Sequence, residues 1–240
     1  MAQRLRQARK LAVLTGAGVS RESGIPTFRD AQTGLWASYD PARLATPQGF
    51  LADPPLVWRW YDMRRAIVLD AQPNPGHLAL SEMEEMIPSV VIITQNIDGL
   101  HARAGSRDII ELHGNIARYK CFENEHPQAD VQPGLGEPPR CSCGSLLRPD
   151  VVWFGENLPP AALERAFSEI RSAQVALVVG TSGLVQPAAS LPFIARHHGA
   201  YLVEVNPEET ATTIIADCFL QGRSGEILPR IVEAMRDLKV

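Results

Sequence analysis

Cysteine is scarce in this chain: four in 240 residues, at Cys121, Cys141, Cys143 and Cys218. That is too few for a disulfide scaffold, and three of the four fall in one short segment, which points to metal more than to redox chemistry. Long apolar runs are missing too. None approaches the ~18 uninterrupted residues of a spanning helix, so no membrane segment is expected. The N-terminus is basic but carries only a short apolar stretch before glycine, too short for a signal peptide, and a cytoplasmic protein is expected. There is no excess of positive charge: 23 Lys and Arg against 27 Asp and Glu leave a net charge of −4, which argues against direct nucleic-acid binding. No internal repeat or low-complexity tract is present. What remains is 45% apolar and 21% charged residues, the profile of an ordinary globular protein and not of a disordered or fibrous one. The length suits one mid-sized unit with an inserted subdomain.

Four short apolar runs organise the chain: Leu11–Thr15, Val90–Thr94, Val175–Val179 and Tyr201–Val205. They are rich in Val, Ile and Leu and do not alternate, so they read as strands buried on both faces, as in a parallel sheet. Helical patterns lie between them, at Leu56–Ala71, His77–Ile87, Pro160–Ala173 and Pro187–His198, with a last helix at Gly225–Leu238. The fold class expected is therefore α/β, a Rossmann-like doubly wound parallel sheet. Residues 28–73, long and proline-containing, and 117–149, turn-rich and framed by cysteines, break the alternation. They are expected to form a smaller inserted part, one piece helical and the other ribbon-like. The large part then comprises 1–27, 74–116 and 150–240.

The residues just past each strand carry the chemistry. Gly16-Ala17-Gly18-Val19-Ser20 stands after the first, Gln95-Asn96-Ile97-Asp98 after the second, Gly180-Thr181-Ser182-Gly183 after the third and Asn206-Pro207 after the fourth. Ordinary βα turns use the same residue types, but ligands of open parallel sheets bind at these strand ends, and four such ends make a nucleotide crevice. Glycines there let backbone amides approach a pyrophosphate. The first turn is not the hydride-transfer fingerprint. A third glycine is replaced by Arg21, and no strand ending in an acidic residue stands about 20 positions on. His113 ends the apolar run IIEL; it is either a general base facing the crevice or a structural histidine.

The motifs GAGVSxESGIPTFR, TQNIDGLH, ELHG, LRPDVVWFGE, GTSGLVQPA and VEVNPEET, in this order over nearly the whole chain, resemble the sirtuin family of NAD-dependent protein-lysine deacylases. The resemblance implies NAD as cofactor, acylated-lysine proteins as substrates, and a small part holding zinc. It assigns Gly16, Ala17, Gly18 and Ser20 to the pyrophosphate, and Thr27, Phe28 and Arg29 to a cofactor loop. Gln95, Asn96, Ile97 and Asp98 would fix ribose and nicotinamide, with Asn96 and His113 catalytic. Gly180, Thr181, Ser182, Asn206 and Ser224 would surround the adenosine. Val152, Trp153, Phe154, Gly155 and Glu156, with Val185 opposite, would pair with the substrate backbone as a β-strand.

Two features depart from the general pattern. The metal segment supplies Cys121, Cys141 and Cys143, but Asn124 stands at the second position and Arg140 at the third. Either His126 completes a zinc site or the module is a metal-free remnant. Tyr61 and Arg64, three apart on a helix expected to bury Val57, Trp60, Tyr61, Ile67 and Val68, form a Y-x-x-R pair. Arg64 either snorkels to solvent or, with the small Ala45, marks the class that removes succinyl and malonyl groups. A non-catalytic NAD or ADP-ribose sensor and a mono-ADP-ribosyltransferase are the alternatives.

Overall fold

The computed structural model describes residues 1–26, 41–129, 131 and 136–238. Along the chain, α1 (Ala2–Gln7) leads into β1 (Lys10–Thr15). Helices α2 (Pro41–Leu44), α3 (Pro47–Ala52), α4 (Pro54–Asp70) and α5 (Pro75–Met86) come before β2 (Ser89–Thr94). After α6 (Leu100–Arg103) come β3 (Ile109–Glu111), β4 (Gly114–Cys121), β5 (Pro127–Gln128) and β6 (Leu147–Val151). The chain then alternates α7 (Pro160–Ser172), β7 (Val175–Val179), α8 (Leu191–His197), β8 (Tyr201–Asn206), β9 (Cys218–Gln221) and α9 (Ser224–Arg236).

Six strands form one sheet in the order β3-β2-β1-β7-β8-β9, every pair parallel. The continuous apolar runs have a direct cause, since alternate side chains of each strand enter different cores. Leu11 and Val13 of β1 pack with Leu80 and Met83 of α5 and Leu228 and Ile231 of α9. Ala12 and Leu14 pack on the other face with Ala166 and Ile170 of α7 and Leu191 of α8. A fully buried aliphatic side chain contributes roughly 1.5–3 kcal/mol of transfer free energy, so two filled faces make this sheet the rigid part of the molecule. From β1 the chain builds outward to β2 and β3, then returns to the other side of β1 with β7. The carboxyl ends of β1 and β7 therefore diverge at a topological switch point.

A second, antiparallel sheet has the order β5-β4-β6. It packs on α2–α4 through Leu44, Phe50, Val57, Tyr61, Ile116, Val151 and Trp153. Its strands start at Gly114 and end at Val151, a few residues outside the 117–149 segment expected from composition. Three prolines of 41–75 are helix starts: Pro47, Pro54 and Pro75 occupy the first turns, behind caps from Thr46, Asp53 and Asn74. The buried stripe of α4 is Val57, Trp58, Tyr61, Arg65 and Val68. Ile67, expected inside, is exposed and Trp60 is half-buried, because the face that meets the small sheet starts at Val57 and Trp58. The pattern at Pro187–His198 is split into a short 3-10 turn, Ala188–Ser190, and α8. None of the helices among the described residues is long and apolar enough to cross a membrane.

The two sheets are joined at His113–Gly114. Gly114 has φ 78°, and a side chain there would run into the Asp150 carbonyl across the β4–β6 pair. Gly114→Ala is expected to cost at least about 2 kcal/mol, from left-handed strain and displacement of β6. Urea unfolding of the variant checks this, and an unchanged midpoint would contradict the pairing.

Candidate active site

The carboxyl ends of β1, β2, β7 and β8 open on a cleft of about 1220 Å³, larger than most small-ligand sites and wide enough for a dinucleotide. Its floor is a glycine contact. Gly18 N–H donates to Gly180 O at 2.8 Å, and a Cβ on Gly18 would lie 2.7 Å from that same oxygen. Gly180 itself has φ 59°. Of the residues expected at the cofactor, Gly16, Ala17, Gly18, Gln95, Asn96, Gly180, Thr181, Ser182, Asn206 and Ser224 line the cleft, and so does His113. Gln95 Nε2 donates to Thr181 Oγ1 at 3.1 Å, and Asn206 Nδ2 to Thr181 O at 2.8 Å, so these amides are held by the neighbouring turn. Thr27, Phe28 and Arg29 lie outside the described residues.

Ser20, Ile97 and Asp98 do not line it. Ile97 packs with the small-sheet core, and its carbonyl accepts from Ile116 N. Ser20 and Asp98 are buried behind the wall, where Ser20 Oγ donates to Asp98 Oδ2 at 2.7 Å. Asn96 Nδ2 donates to Ser20 Oγ at 3.0 Å and to Gly16 O at 3.1 Å. This layer rests on two histidines to which the family resemblance assigns no role, although His101 closes the TQNIDGLH motif. His77 Nδ1 accepts from Asn74 N, so its proton sits on Nε2, which makes a long 3.4 Å contact to Ser20 Oγ. His101 Nε2 lies 2.9 Å from Thr15 Oγ1, and the two rings are 4.9 Å apart. Burial pushes His77 down to about 4, and burial together with His77 pushes His101 down to about 3. Both are neutral at physiological pH. Their only sequence signal is position: His77 at the start of a helix after Asn74, His101 just beyond Asp98.

His113 differs because it faces the cleft. Its Nδ1 lies 2.8 Å from the Gln95 carbonyl, which can only accept, so Nδ1 carries the proton and Nε2 keeps its lone pair. Burial holds the imidazole below its ordinary 6.5, with that hydrogen bond opposing more weakly. A neutral ring of fixed tautomer in a nucleotide-sized cleft is equipped to take a proton from a bound hydroxyl.

Comparison with known proteins agrees with this geometry. The Sir2 family model matches residues 16–187, most of the chain. The chain belongs to the Sir2 family. An NAD-dependent protein deacylase of Aquifex aeolicus is 52% identical over 229 residues, covering 95% of each chain. NAD-dependent protein deacylase 2 of Pyrobaculum aerophilum is 52% identical, covering 98% of this chain and 95% of that one. Among solved structures, a Sir2 homologue–NAD complex superposes with a TM-score of 0.91 at 47% identity, over 98% of this chain and 92% of that one. A Sir2–p53 peptide–NAD+ complex gives 0.85 at 38%, over 97% and 95%.

In this sirtuin the segment after β6 is not the extended strand edge expected. Val152 N donates to His113 O, Phe154 N to Ala45 O and Glu156 N to Trp153 O, while Trp153 N donates to Glu156 Oε2. The Glu156 carboxylate folds the segment into a turn, with Gly155 at φ 87°. Gly155 is the one residue of the five whose N–H has no protein acceptor among the described residues. Phe154 and Val185 are about half exposed beside the cleft, leaving apolar surface for a peptide.

Tyr61 is buried, and its hydroxyl accepts from Trp153 Nε1 at 2.9 Å. The Arg64 guanidinium lies 4.6 Å from the Trp60 ring centre and 5.8 Å from that of Tyr61. Among the described residues it has no hydrogen-bond or ion-pair partner. Ala45 is buried in the same cluster.

At the far end of the small sheet, Cys121, Cys141, Cys143 and His126 bring three sulfurs and a ring nitrogen within 4.8 Å of one another. One tetrahedral zinc ion with bonds of about 2.0–2.3 Å requires such a set, so these residues fit a structural zinc. Cys141 belongs to the group although it is shifted by one position, and Glu125, at φ 53°, turns the chain so that His126 comes beside the three thiols. Asn124, which stands where the pattern calls for a cysteine, donates instead to Cys143 Sγ at 3.5 Å.

Three outcomes are expected. His113→Ala should keep the fold and cofactor affinity but lose about 10²–10⁴ in turnover. In the wild type, the limb of the pH–rate profile that needs a neutral base should titrate below 6.5, measured as kcat/KM against pH. His126→Ala should weaken zinc retention by an order of magnitude or more, read by metal analysis after chelator challenge, whereas His126→Cys should restore it. Full retention in His126→Ala would exclude His126 as a ligand.

Proposed function

We propose that this NAD-dependent protein deacylase removes acidic acyl groups, such as succinyl and malonyl, from protein lysines as well as acetyl, giving nicotinamide and O-acyl-ADP-ribose. The reading rests on one observation: a shielded guanidinium, Arg64, that has no hydrogen-bond or ion-pair partner among the described residues and lies beside Tyr61 and the small Ala45. A carboxylate entering an apolar pocket loses its hydration, a large cost unless a fixed cation meets it. Burial lowers the pKa of Arg64, with Tyr61 opposing, yet an arginine so placed keeps its charge at neutral pH. It can offer two parallel N–H donors to a carboxylate, and Tyr61 can add an O–H.

NAD, when bound, supplies the ribose carbon that is attacked and the hydroxyl that receives the acyl group. The chain's own contribution is binding, orientation and one proton transfer. Gly16, Gly18 and Gly180 let the two turns interlock where a Cβ would collide with the opposite turn, and this leaves their backbone open to a phosphate-bearing ligand. Asn96 presents an amide whose nitrogen is fixed by Gly16 O and Ser20 Oγ, so its oxygen points elsewhere without rotating. His113 Nε2 accepts the hydroxyl proton while Gln95 O holds Nδ1–H in place. The turn at Trp153–Glu156 and the exposed Phe154 and Val185 flank the peptide.

The test is a ratio of kcat/KM for succinyl- and acetyl-lysine forms of one peptide. Charge-assisted hydrogen bonds contribute roughly 1.5–3 kcal/mol, so Arg64→Met should lower the succinyl-to-acetyl ratio by about one to two orders of magnitude. Tyr61→Phe should lower it by less. Equal loss of both activities in both variants would make the pair structural.

A further inference from the structure

We infer that Trp153 is a positioning residue for acyl-chain selectivity: its indole N–H holds the Tyr61 oxygen so that the phenolic proton is left to donate into the acyl pocket. The inference rests on the reading of Tyr61 and Arg64 as the carboxylate-binding pair. An indole Nε1–H is a donor and never an acceptor. At 2.9 Å from Tyr61 Oη it therefore occupies a phenol lone pair and leaves the phenolic proton for another partner. Among the described residues nothing accepts that proton. A buried hydroxyl in this state is set to meet an acceptor that arrives with the substrate.

The indole is itself held more firmly than packing requires. The Arg148 guanidinium sits over its ring, 3.4 Å from the centre, and both side chains are almost fully buried. Arg148 in turn donates through Nη2 to Val151 O at 2.8 Å and to Glu156 Oε2 at 2.9 Å. The same Glu156 oxygen accepts from the backbone N–H of Trp153 at 2.7 Å. Ring and backbone of Trp153 are thus clamped by one ion pair, which fixes the direction of Nε1–H. A cation over an aromatic face draws electron density toward itself and makes the ring's N–H a better donor. The chain of contacts runs from Glu156, in the turn that flanks the peptide, through Arg148 and Trp153 to Tyr61 at the acyl end. Plain core filling accounts for the rings of Phe50 and Phe122, which meet Trp153 at 5.3 and 6.5 Å. It does not call for an N–H aimed at a phenol.

A double-mutant cycle on the succinyl-to-acetyl kcat/KM ratio separates these roles, because general damage to the enzyme divides out of the ratio. Trp153→Phe should lower the ratio by about three- to tenfold, the size of one neutral hydrogen bond, mainly through KM for the succinyl peptide. In a Tyr61→Phe background the same change should lower it no further. Should Trp153→Phe fold poorly, 3-benzothienylalanine at position 153 keeps the ring shape and removes only the N–H, with the same expectation. An unchanged ratio, or an equal drop with and without the Tyr61 hydroxyl, overturns the inference. Arg64→Met in parallel distinguishes the two levels. A ratio sensitive to Arg64 but not to Trp153 removes this inference alone, and a ratio insensitive to Arg64 removes the pocket reading and the inference with it.

Discussion

The contact between two glycine turns, Gly16–Gly18 after β1 and Gly180 after β7, sets the rest of the site. Each lies where the other's Cβ would have to be: a methyl on Gly18 meets Gly180 O, and one on Gly180 meets Val19 N at 2.6 Å. The turns interlock through Gly16 N–H to Val179 O and Gly18 N–H to Gly180 O. Because the sheet order reverses between these strands, the same contact closes the bottom of a cleft whose walls diverge. Side chains of any size here would prise β1 from β7 or fill the space that a pyrophosphate needs. Backbone without Cβ resolves both demands at once.

Beneath that floor the protein places buried polar groups that do not line the cleft. Asn96 is oriented by Ser20, Ser20 by Asp98 and His77, and His77 packs on His101. Buried polar groups are costly unless each donor finds an acceptor, so such a layer has few arrangements open to it. The consequence is directional: the Asn96 amide and the His113 imidazole present fixed atoms to the cleft, each held by a backbone carbonyl. The link to the small sheet runs through the same residues, since Val152 N donates to His113 O. Substrate-side and cofactor-side geometry therefore share a single anchor. Beside Tyr61 the logic is reversed, because Arg64 meets only the faces of Trp60 and Tyr61 and has no hydrogen-bond or ion-pair partner among the described residues.

Much of this is legible in the sequence for physical reasons. Strands buried on both faces produce unbroken apolar runs, and the turns after them keep their glycines because nothing else fits, so β1, β2, β7 and β8 and the Gly16, Gly18 and Gly180 contacts can be read directly. Elements without that double burial are hidden. Strand β9 is three half-exposed residues and one exposed residue at the sheet edge, and β4 carries a register irregularity between Asn115 and Tyr119 that disrupts its alternation. Ile67 and Trp60 mislead about the phase of α4, because an amphipathic helix with three large aromatics offers more than one apolar stripe. The sequence leaves His126 as one of two readings for the metal module, and proximity to the three thiols favours it through a left-handed turn at Glu125 that residue spacing does not reveal. The engaged N–H groups of Val152, Trp153, Phe154 and Glu156 are invisible for a similar reason: a side-chain carboxylate and backbone carbonyls take backbone that a peptide would otherwise meet.

We propose that the cleft moves an acyl group from lysine onto the nucleotide, with His113 taking the proton. Mass spectrometry of the nucleotide products, after the wild-type protein has turned over a succinyl-lysine peptide with NAD, tests it most directly. The expected product is ADP-ribose carrying the succinyl mass, in one-to-one ratio with nicotinamide and with unmodified peptide. Free succinate with NAD intact, or ADP-ribose attached to a peptide that still holds its acyl group, would contradict it.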